Sequence, residues 1–472
     1  MAGWLTIARQ EFRGLLRDRR FRWLCSAVGL CLLAVLIIGW QQTQRVRAQR
    51  TAANAVAREH WVTQPPKNPH AAAHYGIYAF KPQTALAFVD VGVDEHAGVV
   101  AFLEAHKRHD LTGAAAQDGR TQRLLALTAA GVLQYLLPLL IIVLAFDALA
   151  GEREHGTLRY LLSLGVRPRT LLAGKLAGIG AALGVALLPA VVGSVLLLWW
   201  LEDAPWDFVR LALMVISYLL YGFIFLALTL AVSSRWSARM TLLGMLTFWA
   251  VSSFVVPRMV TDLAARWYPT PARAAFDAAV AHDIRQGIDG HNPQEERLKA
   301  FEARLLAQYN AKRLEDLPIN PAGLLMQESE EHSNQVYAHH YARLWLAFEQ
   351  QVALHNAAAV VAPVLAVRSL SMALAGTDVF HHLDFADAAE RYRQPLIKTL
   401  NEDWAYNSTL ATDETYVADT RLWTSVQPFT YTPPPLTLAL QRQWLALAWL
   451  GGWVGLSLLA LWLAARALAA TT

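Results

Sequence analysis

The side chains best equipped for chemistry in this sequence are its histidines, since imidazole ligates metals and titrates near neutral pH. Of the 15 histidines, all but His155 fall within residues 41–123 and 258–438. His70 and His74 stand four apart, as neighbours on one helix face. His339 and His340 are adjacent, as are His381 and His382, with Asp384 close by. These six are candidate metal ligands. No HExxH pair or clustered His/Cys spacing accompanies them, and the two cysteines, Cys25 and Cys31, share an apolar run. The histidines therefore read as half-buried hydrogen-bonding residues, and no bound metal is expected. Gly174-Lys175 looks like the end of a phosphate loop. However, Leu176 occupies the place of the magnesium-binding Ser or Thr, and no glycine stands five residues earlier. No Gly-x-Ser-x-Gly elbow is present. Neither a catalytic residue nor a directly bound cofactor is expected, so the chain is not read as an enzyme.

The elements that would position such residues are largely membrane helices. Of the 472 residues 55% are hydrophobic, and the mean hydropathy is +0.27. The apolar residues gather in blocks, which predicts an integral membrane protein. A net charge of +4 is modest for this length, and the basic residues cluster beside the apolar blocks. Nothing suggests nucleic acid as a partner.

Residues 1–22 form an amphipathic interface helix, with Trp4, Ile7, Ala8, Phe12, Leu15 and Leu16 on one face and Arg9, Arg13, Arg17 and Arg20 on the other. That pattern suits the inner leaflet. The first span is 23–40, with Trp at both ends. Six spans follow from the hydropathy and the charged loops: 23–40, 124–149, 171–201, 208–232, 241–257 and 439–464. Pro138 should kink the second span, with its freed carbonyl satisfied by a neighbour, and Asp147 near its inner end should reach water. Gly174, Gly178, Gly180 and Gly184 let a partner helix approach the third span. Pro257 should close the fifth. The positive-inside rule keeps 150–170 and both termini in the cytoplasm. It places the first segment, 41–123, the acidic turn Glu202-Asp203-Asp207 and the large segment, 258–438, outside.

Within the large segment, amphipathic helices are predicted over 295–314, 328–356 and 384–404. The apolar run 357–375 could pass for a seventh span, but Pro363 and Arg368 make it a buried or membrane-skimming helix. Neither outer segment has a core of its own, so the two should fold together. The fold class is thus an all-α integral membrane protein of six transmembrane helices plus a mostly helical periplasmic domain from the 1–2 and 5–6 loops.

The loop 151–175, GEREHGTLRYLLSLGVRPRTLLAGK, is too regular to be slack. Gly156-Thr157 offers a break and a cap, Thr157–Leu164 reads as a short helix with Leu158, Leu161 and Leu162 on one side, and Gly165 ends it. The run Gly151-Glu152-Arg153-Glu154-His155-Gly156-Thr157-Leu158, with Leu161-Leu162, Arg167-Pro168-Arg169 and Gly174-Lys175, resembles the coupling-helix loop of type-2 ABC exporter permeases. The resemblance covers the loop and the pattern of spans, about half the chain. It implies a permease subunit in a bacterial inner membrane, paired with a second permease and with two cytoplasmic ATPase subunits that hold the ATP and Mg. It also implies that Glu152, Arg153, Glu154, His155, Gly156, Thr157, Leu158, Arg159, Arg167 and Arg169 contact or transmit motion from the ATPase. Membrane lipid and a periplasmic partner complete the expected surroundings. The rival classes are a membrane-anchored periplasmic binding or metal-sensing protein and a membrane-embedded hydrolase.

Overall fold

The computed structural model describes residues 3–111, 127–201 and 205–470. Glu202 and Asp203, and the expected start of the second span at Leu124, lie outside the described residues. Helix α1 (Trp4–Arg17) is followed by α2 (Arg19–Thr63), begun by the Asp18 side chain, which accepts from the Arg20 N–H. The first span and the polar helix after it are one 45-residue rod, about 68 Å long at 1.5 Å per residue. Next come α3 (Pro69–Tyr75) and an antiparallel hairpin, β1 (Ile77–Phe80) with β2 (Val100–Leu103), in which Ile77 faces Leu103. The hairpin is the one sheet among the described residues, a small departure from an all-helical reading.

The second span enters through Ala129–Gly131, makes a π turn over Val132–Leu136 and continues as α4 (Leu137–Ala145). Short helices α5 (Ala150–Glu154) and α6 (Thr157–Ser163) form an elbow before α7 (Pro168–Trp200). Then follow α8 (Pro205–Ser233), α9 (Ala238–Ala250), a second π turn over Val251–Val255, and α10 (Val256–Trp267). Proline lacks an N–H and clashes with the carbonyl four residues back. Each π turn lies just before a proline, Pro138 or Pro257, and gives that carbonyl room. For Pro138 the carbonyl belongs to Gln134, and the Tyr221 hydroxyl donates to it at 3.0 Å. Pro257 does not close the fifth span as expected: with the π turn ahead of it, the helix runs on to Trp267. The two π turns touch, the Tyr135 and Phe254 rings stacking at 5.3 Å.

Beyond α10 stand α11 (Arg273–Gln286), α12 (Gln294–Gln308), α13 (Pro321–Ala358), α14 (Pro363–Ala375), α15 (Val379–Asn407), α16 (Thr420–Ser425), α17 (Leu436–Arg442) and α18 (Trp444–Ala469). Helix α12 stops at Gln308, short of the expected Leu314. Helices α13 and α15 start earlier than expected because Asn320 and Asp378 cap them: the Asn320 side chain accepts from the Ala322 N–H, that of Asp378 from the His381 N–H.

Seven helical stretches among the described residues are long and apolar enough to cross a membrane. The additional one, Pro363–Asn407, has 78% of its apolar window buried inside the chain, against 22–61% for the others. Protein, not lipid, therefore covers α14, as expected for a buried helix. The fold is an all-α membrane protein. The spans, α14 and residues 85–89 share one apolar core. A second core joins Trp61, Ala72, Ile77 and Leu103 to Leu396, Leu400 and Trp423, so the two large loop segments do fold together.

Candidate functional site

The elbow lies where the ends of four helices meet. Alpha-helical spacing breaks at Gly156, whose φ of 80° is left-handed, and again at Gly165 at the same φ. Between them α6 turns buried Leu158 and half-buried Leu161 and Leu162 inward. Thr157 is the first helical residue rather than the cap, and its hydroxyl donates to the Glu152 carbonyl at 3.0 Å. The His155 ring bonds the Gly151 carbonyl at 2.6 Å.

Lys175 ties the elbow to its surroundings. Its side chain is 2% exposed, and Nζ donates to Glu11 Oε1 at 2.6 Å and to Glu152 Oε1 at 2.7 Å. One ammonium thus links α1, the elbow and the first turns of α7. Close approach of α1 depends on two of the predicted glycines. A Cβ on Gly174 would lie 2.6 Å from the Ile7 Cβ, and one on Gly178 would lie 2.7 Å from the Ala8 carbonyl oxygen. Gly184 has open space instead. The partner helix predicted for this stripe is α1.

Arg153 and Glu154 bind the elbow to the turn between α8 and α9. Arg153 donates to the Ser234 carbonyl at 2.6 Å and also to the Trp236 carbonyl, while Glu154 Oε1 accepts the Ala238 N–H at 2.9 Å at the start of α9. The buried Ser233 hydroxyl donates to the Phe146 carbonyl at 2.8 Å and accepts from the N–H groups of Leu149 and Ala150 at 3.2 and 3.0 Å. That clamp holds the break between α4 and α5, where Asp147 is exposed as expected. Sequence reasoning missed Glu11, Ser233 and Ser234, because their partners are distant in the chain. Of the ten predicted coupling residues, half-buried Glu152 and Arg153 bond to other helices, and exposed Glu154 bonds to the start of α9. His155, Arg159, Arg167 and Arg169 remain exposed, beside Tyr160 at 64% and Leu164 at 62% exposure. The outer side of the elbow thus carries an exposed aromatic and an exposed leucine together with exposed arginines.

The predicted metal candidates separate into unlike environments. His340 pairs with Asp283 at 2.8 Å and lies beside His339, with ring centres 5.5 Å apart. His381 pairs with Asp378 at 2.5 Å. Burial, reinforced by the Lys81 charge, holds the His382 imidazole down at about 4. Only His70 and His74 converge, and they do so with His106, which the sequence did not suggest.

Between the spans lies an apolar cavity of about 240 Å³, lined by residues such as Leu36, Leu137, Leu183, Met214 and Phe223.

The fold and the site define a multi-spanning helical membrane protein with a basic elbow braced against an amphipathic helix. Residues 116–272 match the family described as ABC-2 family transporter protein, and residues 273–432 match a family described as Domain of unknown function (DUF3526). The probable ABC transporter permease protein NosY of Pseudomonas aeruginosa is 36% identical over 113 residues, 23% of this chain and 41% of that relative. NosY of Stutzerimonas stutzeri is 33% identical over 122 residues, 25% of this chain and 43% of the relative. The chain thus spans about two fifths of the length of the curated relatives it matches. These matches support an ABC-2 type membrane region within residues 116–272.

Proposed function

We propose that the chain is the membrane subunit of an ATP-driven type-2 ABC exporter of a bacterial inner membrane, with both termini cytoplasmic and six spans. Hydrolysis is supplied by separate cytoplasmic ATPase subunits, which hold the ATP and Mg, and a second permease completes the translocation path. The single observation that carries this reading is the buried Lys175 bridge, which ties α1, the elbow and α7 to one another. A partner gripping Tyr160 and Leu164 within the Arg159, Arg167 and Arg169 ring would displace two spans together. The apolar cavity supports a hydrophobic substrate, such as a lipid or drug, leaving from within the membrane.

The test is co-purification with the ABC ATPase subunits proposed as its partners. Tyr160→Ala with Leu164→Ala, and separately Arg159→Glu with Arg167→Glu, should each weaken the complex at least about tenfold, as loss of an interface anchor does. Unchanged co-purification and unchanged stimulation of ATP hydrolysis by both variants would overturn the assignment.

A further inference from the structure

The apolar cavity belongs to the function already proposed, whereas a cluster of three imidazoles remote from the spans has no place in it. We infer that His70, His74 and His106 form a binding site for a divalent late first-row transition ion, zinc being the representative, with one coordination position left open. Each offers one ring nitrogen, and the three nitrogens lie within 4.8 Å of one another.

The local fold builds this convergence from two directions. On α3, the Asn68 side chain accepts the His70 N–H at 2.8 Å and Pro69 starts the first turn, so His70 and His74 share a face with ring centres 4.7 Å apart. His106 follows β2, and its ring centre lies 5.7 Å from that of His70 and 5.2 Å from that of His74. Its φ of 65° is left-handed, uncommon for a residue with a side chain. Glu330 holds it there, accepting the His106 backbone N–H and lying 3.1 Å from Nδ1. A carboxylate on one ring nitrogen fixes the tautomer and leaves Nε2 as the ligand atom, an arrangement common behind metal-bound histidines. Glu330 is itself anchored by Arg393 at 3.2 Å, both side chains being 1% exposed.

Simple ring packing accounts for part of the cluster, since His70 stacks on Trp404 at 5.4 Å. It does not account for the His70 Nδ1, which is buried without a hydrogen-bond partner among the described residues. Nor does it explain exposed His74 turned towards two other imidazoles. Three imidazole nitrogens with no carboxylate oxygen among them favour zinc, copper or nickel over calcium or magnesium. Ligation at about 2.0–2.1 Å needs nitrogens about 3.3 Å apart in a tetrahedral site, so binding would draw the three rings closer together. The bound ion would staple α3 to the loop after β2 and, through Glu330, to α13.

The site stands independently of the transport reading, and its test uses the full chain in detergent, purified without a polyhistidine tag and stripped with chelator. Titration with zinc should give one equivalent per chain and raise the melting temperature. Cobalt should give visible bands of tetrahedral intensity. His74→Ala, which removes an exposed side chain, and His106→Ala should each abolish the stoichiometric site. Glu330→Gln should weaken zinc by about 10–100-fold, while His339→Ala with His340→Ala should bind as the parent does. Failure of the parent to bind an equivalent at micromolar zinc, full binding by His74→Ala, or loss of binding in the His339/His340 variant would each overturn the site.

Discussion

Lys175 is 2% exposed, while Glu11 and Glu152 are each about a quarter exposed. Replacing it by Met leaves two carboxylates facing each other, with Glu152 Oε2 already buried and without a hydrogen-bond partner among the described residues. Breaking a buried ion pair costs about 3–5 kcal/mol, and partial exposure of the acids lowers this to about 2 kcal/mol. Thermal denaturation of Lys175→Met should register that loss, and Lys175→Met with Glu152→Met should recover part of it. The sequence presents this lysine as a failed phosphate loop, because its partner Glu11 is 164 positions away and no local pattern links them. His382 makes a separate residue-scale prediction. Its folded pKa is about 4, depressed by burial and Lys81 and partly opposed by Asp94, whereas an unfolded histidine titrates near 6.5. The unfolded chain therefore binds the proton first, so this contribution to stability is present above pH 6.5 and is lost as pH falls towards 4. His382→Gln should flatten the stability profile of the detergent-solubilised protein in that window, and an unchanged slope would assign it to other groups.

At the scale of elements, the amphipathic face of α1 and the glycine stripe of α7 were each legible, but the fact that they complete one another was not. Hydrophobic spacing marks a sticky face without naming its partner, and a lipid surface satisfies it as well as a helix does. The structure chooses the helix, with Ile7 and Ala8 against Gly174 and Gly178. The helix continuing past Pro257 is not legible for a related reason: a proline reads locally as a stop, and the π turn that accommodates it has no sequence signature of its own. Elbow helix α6 was placed nearly to the residue, since its two left-handed glycines and three inward leucines are all local signals. Gly178→Val tests the docking. Its added Cβ meets the Ala8 carbonyl at 2.7 Å and the Glu11 Cβ at 2.7 Å, both on helix backbone or its first side-chain atom, so α1 must move. Overpacking of this kind costs about 1–3 kcal/mol. Hydrogen exchange over residues 4–17 should accelerate while the spans remain protected. Unchanged protection there would mean that α1 is held by something other than this contact.

Taken whole, the largest core of the molecule is crossed by a polar thread. Gln134 Nε2 donates to the Tyr218 hydroxyl at 3.1 Å, Tyr218 donates to Ser371 at 2.9 Å, and Ser371 donates to Asp90 Oδ2 at 2.5 Å. The thread runs from the second and fourth spans through α14 to the loop before β2, with every donor pointing the same way and a carboxyl as the final acceptor. Burial pushes the Asp90 carboxyl up, opposed by Ser371, by the Gly92 N–H and by the charge of Arg368. Such a chain at low local dielectric is fixed in register, because each link left unpaired costs more than it contributes when made. It therefore fixes the position of the loop before β2 against α14 and the second and fourth spans. Tyr218→Phe cuts the thread at its centre with almost no change in volume, leaving the Gln134 amide and the Ser371 hydroxyl short of a partner. The expected cost is about 1–3 kcal/mol. It should appear as faster hydrogen exchange at residues 85–93, while Trp61 to Phe80, which belong to the separate second core, keep their protection. If exchange at 85–93 is unaffected, the apolar contacts of Leu86 and Phe88 alone dock this loop, and the thread does not fix its position.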